Sequence, residues 1–215
     1  AQLDTELQLG CVQTAYANGA ATEYLQSRVP VAITKTGVKH LHHEAERFDI
    51  GVYFEANGHG TVLFSPRAIV AFDVAESSDS DKAKAAARRL RALALLINQS
   101  VGDALSDLLA VLVVLAARGW GPEQWDECYT DLPNRLLKVQ VADRTQFQTF
   151  DAERRLAAPQ GLQAQIDELV SKVPRGRAFV RPSGTEDCVR VYAEAAKPAA
   201  AEKLAADVAK VAESV

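Results

Sequence analysis

Residues 177–194 have the sequence RAFVRPSGTEDCVRVYAE, which predicts a strand, a turn and an outgoing strand. In the outgoing strand, Val189 and Val191 alternate with Arg190 and Tyr192, so one face is apolar and the other is polar. This part of the chain contains one further alternating run and two helical segments, at residues 136–141, 161–172 and 199–215. Together these elements predict a small α+β domain.

The turn between these two strands has the side chains expected of a phosphate site. Arg181 offers a planar fork of donors that matches phosphate oxygens, and Arg190 lies close to it in the sequence. Ser183 and Thr185 supply hydroxyls, while Gly184 has no side chain to keep an anion away from backbone N–H groups. The alternative is an ordinary surface turn, because Ser, Gly and Pro are common in turns.

Residues 55–60, EANGHG, form the predicted tip of a strand–turn–strand unit. Glu55 can accept hydrogen bonds from two neighbouring sugar hydroxyls, and Asn57 can both donate and accept. Asn57 and Gly58 also form a favoured hairpin dipeptide, so the alternative is that Asn57 only tolerates a positive φ. His59 is a weak candidate for proton transfer and equally a hydrogen-bond partner that holds the loop.

Residues 1–130 are predicted to form an α/β domain, because strand-like runs alternate with helical segments. We expect strands at residues 9–15, 29–34, 50–54 and 61–64, and helices at residues 20–28, 81–99, 102–117 and 123–128. The helix at 102–117 is so apolar that we expect it to be buried against the sheet. The acidic segment 73–81 is interpreted as a solvated loop. Turn residues from Thr130 to Pro133 mark the boundary, so the second domain comprises residues 131–215.

The composition excludes several classes of protein. The chain has 215 residues and a formal net charge of −4, which argues against nucleic-acid binding. Its most apolar run, residues 108–117, is far shorter than the roughly 20 residues of a membrane helix. Three widely spaced cysteines without a Cys-x-x-Cys pair are typical of reduced thiols. With no signal-peptide pattern, the expected location is cytoplasmic and no membrane partner is expected.

The histidines near residue 40 do not have the pattern of a metal site. His40, His42 and His43 lack carboxylate or cysteine ligands at a usual zinc spacing, so no metal ligand is predicted in this chain. The residues alone leave open whether Lys39 is a solvated surface lysine or a cation that faces a ligand.

Several of these stretches occur together in one known superfamily. The EANGHG loop, followed far downstream by RPSGTE, resembles the α-D-phosphohexomutases, as does TGVKH at residues 36–40. Three further stretches resemble the members that act on N-acetylglucosamine phosphates, namely residues 12–19, 39–43 and 129–135. The resemblance covers essentially the whole chain.

The resemblance implies a fold and a set of ligand-binding residues. The fold is an α/β sandwich like the third domain of a phosphohexomutase, followed by a small α+β domain with an antiparallel sheet. The sugar-binding residues would be Lys39, His40, Glu55, Asn57, Gly58 and His59. The phosphate-binding residues would be Arg181, Ser183, Gly184, Thr185 and Arg190. The reaction would interconvert N-acetylglucosamine 6-phosphate and 1-phosphate through a phosphoserine and a bisphosphate intermediate.

Two parts that the superfamily uses for catalysis are absent from this sequence. We find neither the phosphorylated serine loop nor a Mg²⁺ loop of the Asp-x-Asp-x-Asp-Arg type. The chain is therefore expected to be the C-terminal half of a mutase, whose first domain here is N-terminally incomplete. Its partners would be the missing N-terminal domains, which would bind Mg²⁺. The alternative is a non-catalytic module that binds amino-sugar phosphates or a protein.

Overall fold

The computed structural model describes residues 7–215 and divides them into two compact units. The first unit contains the residues up to Thr14 together with Tyr24–Tyr129. The second contains Thr130–Val215 and also the short segment Ala15–Glu23, which comes from the beginning of the chain. The second unit is therefore not one continuous stretch of sequence.

A four-stranded sheet forms the centre of the first unit. Its strands are β1 (Leu9–Thr14), β2 (Val31–Thr34), β3 (Ile50–Phe54) and β4 (Gly60–Phe64), in the order β2-β1-β3-β4. Strand β1 is parallel to both β2 and β3, whereas β3 and β4 form an antiparallel hairpin. This hairpin confirms the predicted strand–turn–strand unit.

Helices lie on both faces of this sheet. The helices up to residue 126 are α1 (Gly19–Gln26), α2 (Val38–Ala45), α3 (Pro66–Glu76), α4 (Asp81–Leu96), α5 (Ala104–Arg118) and α6 (Pro122–Asp126). On one face, Leu41 of α2 packs with Val12 and Tyr53. On the other, Phe72 of α3 packs with Ile50, because successive strand residues point to opposite faces. The first unit is therefore the expected α/β sandwich.

Two expectations for this unit are wrong. Asp73 is not in a loop, since α3 continues to Glu76 and only residues 77–80 separate it from α4. Helix α5 is not buried along its apolar length: only Ser106 and Ala110 are buried. Six of its large aliphatic side chains are exposed, namely Leu105, Leu108, Leu109, Leu112, Val113 and Val114, and Val111 and Leu115 are half-buried.

The second unit contains a three-stranded antiparallel sheet covered on one face by two helices. Its strands are β5 (Asn134–Gln140), β8 (Arg177–Pro182) and β9 (Cys188–Glu194), in the order β5-β9-β8, and its helices are α7 (Leu162–Ser171) and α8 (Pro198–Glu213). A separate hairpin of β6 (Gln148–Phe150) and β7 (Arg155–Ala158) was not predicted. Val189 and Val191 belong to the core under the helices, which confirms the predicted apolar face of β9.

The other face of this sheet is covered in part by the segment 15–19. Tyr16 packs edge-to-face against Phe179 and Tyr192, with ring centroids 5.1 and 6.0 Å away. Ala15 is buried in the same small cluster. Among the described helices, none has the length and apolar content required to cross a bilayer.

Candidate functional site

The tip of the β3–β4 hairpin is a five-residue loop whose hydrogen bonds are mostly local. The amide of Glu55 donates to the carbonyl of His59 at 2.8 Å, and the amide of Gly58 donates back to the carbonyl of Glu55 at 2.9 Å. Asn57 Oδ1 accepts from the amide of His59 at 3.0 Å and lies 3.2 Å from His59 Nδ1. Asn57, Gly58 and His59 are exposed, so their side chains and backbone are accessible to a ligand.

The positive φ of this loop falls on Gly58, at 88°, and Asn57 is not among the residues with positive φ. The alternative that Asn57 serves only to tolerate a positive φ is therefore wrong. Its amide instead organises the turn as a hydrogen-bond acceptor, as Asn side chains commonly do.

Glu55 connects this loop to a second predicted sugar-binding segment. Its Oε1 accepts from the amide of Gly37 at 3.0 Å, and its Oε2 lies 3.4 Å from Asn57 Nδ2. Gly37 has a φ of 122° and immediately precedes α2, which carries exposed Lys39 and half-buried His40. The structure thus brings both predicted loops of the first unit together.

The neighbouring histidines have other partners. His42 Nδ1 lies 3.0 Å from the hydroxyl of Tyr53, and His43 Nδ1 lies 3.1 Å from Glu46. Within residues 7–215, no group of three or more His, Cys, Asp or Glu side chains is arranged to hold a metal ion.

In the second unit, a tight turn joins β8 to β9. Ser183 is buried, its amide donates to the carbonyl of Cys188 at 2.9 Å, and its Oγ is 3.4 Å from the amides of both Thr185 and Glu186. These amides leave the hydroxyl hydrogen of Ser183 able to donate to an anion. Gly184 is exposed, and a Cβ built on it meets no atom within 4 Å, so the backbone is open to close approach here.

Three cations lie in a row across the sheet of this unit. Arg181 on β8 is directly opposite Arg190 on β9, and Arg190 is directly opposite Lys138 on β5. Directly opposite residues share a face of the sheet, so all three face away from the helices. Like charges in this arrangement repel one another, which favours the binding of an anion beside them.

Two glutamates partly neutralise this row. Glu186 lies 2.9 Å from Lys138 Nζ and 3.4 Å from Arg190 Nη2, and the hydrogen bond from Lys138 holds the pKa of its carboxyl below the ordinary value. Glu153 Oε1 lies 3.7 Å from Arg181 Nη1. Glu153 is the last of three consecutive residues with positive φ, between 50° and 66°.

A buried ion pair attaches the segment 15–19 to the same sheet. Glu194 is only 2% exposed and accepts from Arg177 Nε at 2.8 Å, from the hydroxyl of Tyr192 at 2.7 Å and from the amide of Gly19 at 3.0 Å. Burial raises the pKa of Glu194, but these hydrogen bonds, led by Arg177, outweigh burial and leave the pKa lowered. Arg177 also donates to the carbonyls of Ala15 and Ala17 at 2.8 and 2.7 Å.

Several of these residues were not predicted from the sequence. Tyr16, Lys138 and Glu153 were assigned no role, although all three contact predicted phosphate-binding residues or their partners. Lys138 alternates with apolar Leu137 and Val139, which places it on the polar face of β5. Only the register between strands shows that it is opposite Arg190.

Comparison with known proteins identifies the class to which this fold and these loops belong. Residues 1–120 match the family model for phosphoacetylglucosamine mutase AMG1, domain III. Residues 136–211 match the model for the phosphoglucomutase/phosphomannomutase C-terminal domain. These two matches assign the chain to the phosphohexomutase class.

The relatives give the particular family. The phosphoacetylglucosamine mutase of Homo sapiens is 54% identical over 209 residues, which are 96% of this chain and 39% of the human protein. Phosphoacetylglucosamine mutase 1 of Schizosaccharomyces pombe is 57% identical over 91% of this chain and 38% of its own length. The chain belongs to the phosphoacetylglucosamine mutase family and spans about two fifths of these relatives.

Solved structures agree with this assignment. Aspergillus fumigatus N-acetylphosphoglucosamine mutase in complex with GlcNAc-6P and magnesium superimposes with a TM-score of 0.93 at 54% identity. The match covers 96% of this chain and 42% of that protein. The fold expected from the sequence is confirmed.

Proposed function

We propose that this chain supplies the sugar- and phosphate-binding parts of a phosphoacetylglucosamine mutase. The enzyme would interconvert N-acetylglucosamine 6-phosphate and N-acetylglucosamine 1-phosphate. Membership of the family and the GlcNAc-6P bound in the Aspergillus fumigatus relative support this proposal. Residues 1–130 would form the sugar-binding domain and residues 131–215 the phosphate-binding domain, with Ala15–Glu23 packed into the latter.

The observation that carries the proposal is the cation row beside the turn of the second unit. Arg181 and Arg190 are directly opposite each other, and Ser183 and Thr185 add hydroxyls at the same turn. Gly184 leaves its backbone open. These groups would bind the phosphate that is not reacting, because phosphoryl transfer depends mainly on positioning and charge neutralisation.

The hairpin tip of the first unit would grip the sugar. Glu55 would accept hydrogen bonds from hydroxyls, and Asn57 would hydrogen-bond the acetamido group, with Gly58 allowing close approach. Lys39 and His40 on α2 would add a cation and a polar ring near the same loop. His59 would hold the loop through Asn57 and is assigned no proton transfer.

The chemical step would require a phosphorylated serine and a Mg²⁺ loop, neither of which we find in this sequence. A phosphoserine in the rest of the enzyme would donate its phosphoryl group to the 6-phosphate sugar. The bisphosphate intermediate would turn around and return its other phosphate to the serine. Mg²⁺, present in the Aspergillus fumigatus complex, would likewise be bound outside this chain. A cytoplasmic location remains a prediction.

Calorimetric titration of the chain with N-acetylglucosamine 6-phosphate, glucose 6-phosphate and inorganic phosphate tests the proposal. We expect all three to bind, and the N-acetyl sugar to bind most tightly. Arg181→Ala should weaken each ligand about 10- to 100-fold, because charge-assisted hydrogen bonds contribute about 1.5–3 kcal/mol.

Arg135→Ala is the matched control. Arg135 is also a cation on this sheet, but it lies on the opposite face from Arg181. It is directly opposite Ala193, which belongs to the core under the helices, and it pairs with Glu202 of α8. Equal weakening by both substitutions would contradict the proposed phosphate site.

A second experiment separates the enzyme from a binding module without catalysis. The part of a relative that this chain does not cover is added in trans, and mutase activity is measured. Activity that returns only in the mixture supports a divided enzyme. Ligand binding without activity in the mixture supports the module.

A further inference from the structure

We propose that Tyr16 is a positioning residue of the phosphate site, which fixes the guanidinium of Arg181 in the orientation that binds a phosphate. This inference rests on the proposed function of Arg181. Tyr16 lies 165 positions before Arg181 in the sequence, yet its hydroxyl accepts a hydrogen bond from Arg181 Nε at 2.8 Å.

The contacts of Arg181 leave one edge of its guanidinium for a ligand. Nε donates to Tyr16, and Nη1 contacts the carbonyl of Pro182 at 3.3 Å and Glu153 at 3.7 Å. Among the described residues, Nη2 has no protein hydrogen-bond partner. An arginine binds phosphate through two parallel N–H donors, so a fixed Nε directs recognition to the Nη1–Nη2 edge.

Tyr16 is itself rigidly held. Its ring packs edge-to-face with Phe179 and Tyr192, and burial raises the pKa of its hydroxyl. The hydroxyl therefore stays protonated near neutral pH and is a stable acceptor for Arg181.

The backbone on both sides of Tyr16 is held as well. Arg177 donates to the carbonyls of Ala15 and Ala17, the residues that flank it. Arg177 in turn pairs with buried Glu194. A continuous series of contacts therefore runs from the buried ion pair through Tyr16 to Arg181, all within the second unit.

This arrangement gives a role to residues 15–19, which make none of the proposed ligand contacts. Residues 15–19, AYANG, are part of one of the stretches that resemble the mutases, but they contain no charged group for a phosphate. A Cβ on Gly19 would lie 2.3 Å from Glu194 Oε1, so a larger residue there would force the carboxylate to move. The segment serves as a support for Arg181.

The test begins without any ligand, using the Nε–H signals of the arginines in ¹⁵N NMR spectra of the 215-residue chain. In Tyr16→Phe, the Arg181 Nε–H should shift and exchange faster with water, because its acceptor is lost. Tyr24→Phe, which removes one tyrosine hydroxyl outside the second unit, should leave the signal unchanged. An unchanged Arg181 signal in Tyr16→Phe would overturn the proposal.

Titration with inorganic phosphate then tests whether the orientation of the Arg181 guanidinium affects phosphate affinity. Tyr16→Phe should raise the dissociation constant about three- to tenfold, the range expected for one net hydrogen bond. In an Arg181→Lys background the same substitution should have no further effect, because the tyrosine acts only through the guanidinium. Additive losses in this double-mutant cycle would indicate a merely structural role and overturn the proposal.

The outcomes also separate this inference from the proposed function. If the unaltered chain binds no phosphate, the proposed site fails, and the role of Tyr16 in phosphate binding fails with it. If the unaltered chain binds phosphate and Tyr16→Phe binds it equally well, only the positioning role is overturned.

Discussion

The two proposed binding segments, namely the phosphate turn of the second unit (residues 181–187) and the sugar loop of the first unit (residues 55–59), are held in different ways. Arg181 contacts Tyr16 and Glu153, which are distant in sequence, and its side chain is only 19% exposed. In the sugar loop, Asn57 and His59 are exposed and hydrogen-bond residues only two positions away. Long-range contacts fix the phosphate turn before a ligand binds, whereas local contacts leave the sugar loop able to change its conformation.

This difference suits the two ligand groups that we propose. A phosphate has the same shape and charge at either end of the sugar, so a preorganised site loses little conformational entropy when it binds either one. A sugar that binds in two orientations presents different hydroxyls each time. An exposed loop in which only Glu55 is held by a distant residue, the amide of Gly37, can accommodate both orientations of the sugar.

Breaking the buried ion pair should have the largest effect. Arg177→Met leaves Glu194 buried without its main partner, and we expect the unfolding free energy of the second unit to fall by about 3 kcal/mol or more. Urea unfolding followed by the amide signals of β9 measures this change. Segment 15–19 should lose its protection from hydrogen exchange at the same time.

Arg155→Met is the control for this substitution. Arg155 pairs with Asp167 in the same unit, but both side chains are more than 40% exposed. Exposed pairs contribute about 1 kcal/mol or less, so the control should change stability little. Similar losses of unfolding free energy in both variants would show that the pair of Arg177 and Glu194 makes no special contribution to the stability of the second unit.

Much of the second unit could be predicted from the sequence, and the reasons why the rest could not are physical. The alternation in β9 identified its core face, because a strand has a period of two residues. The same alternation placed Glu194 on the polar face, yet it is buried, since the segment 15–19 covers it. No local pattern shows which distant segment packs on a strand.

The same limit applies to Lys138 and to helix α5. Lys138 joins Arg190 only through the order and register of the strands, neither of which is encoded in local periodicity. Helix α5 was predicted correctly as a helix, and in the structure Asp103 is its N-cap and Gly119 its C-cap. Its apolar composition favoured burial against the sheet, but most of its large aliphatic side chains are exposed, so that prediction was wrong.

Acid should weaken the second unit through Glu194. Its pKa is lowered in the folded state from an ordinary value of 4.5, so its contribution to stability is complete above about pH 4.5 and is lost as the pH falls through the folded value. The difference in unfolding free energy between the unaltered chain and Glu194→Gln should therefore be largest at neutral pH and shrink below about pH 4.5. A difference that is constant with pH would contradict the assigned ion pair.

The smallest effect is expected in the sugar loop, where Asn57→Ser should weaken the binding of N-acetylglucosamine 6-phosphate more than that of glucose 6-phosphate. Ser can still accept from the amide of His59, so the turn should persist. The variant loses the amide that would hydrogen-bond the acetamido group, and we expect N-acetylglucosamine 6-phosphate to bind about fivefold more weakly, the equivalent of one hydrogen bond.

Glucose 6-phosphate is the matched ligand for this prediction, because it has a hydroxyl in place of the acetamido group and the same phosphate. Its affinity should change less than that of the N-acetyl sugar, and inorganic phosphate should bind Asn57→Ser as it binds the unaltered chain. Equal loss for both sugars would mean that Asn57 only shapes the loop. The choice of sugar would then lie with other residues of the loop, or with Lys39 and His40 on α2.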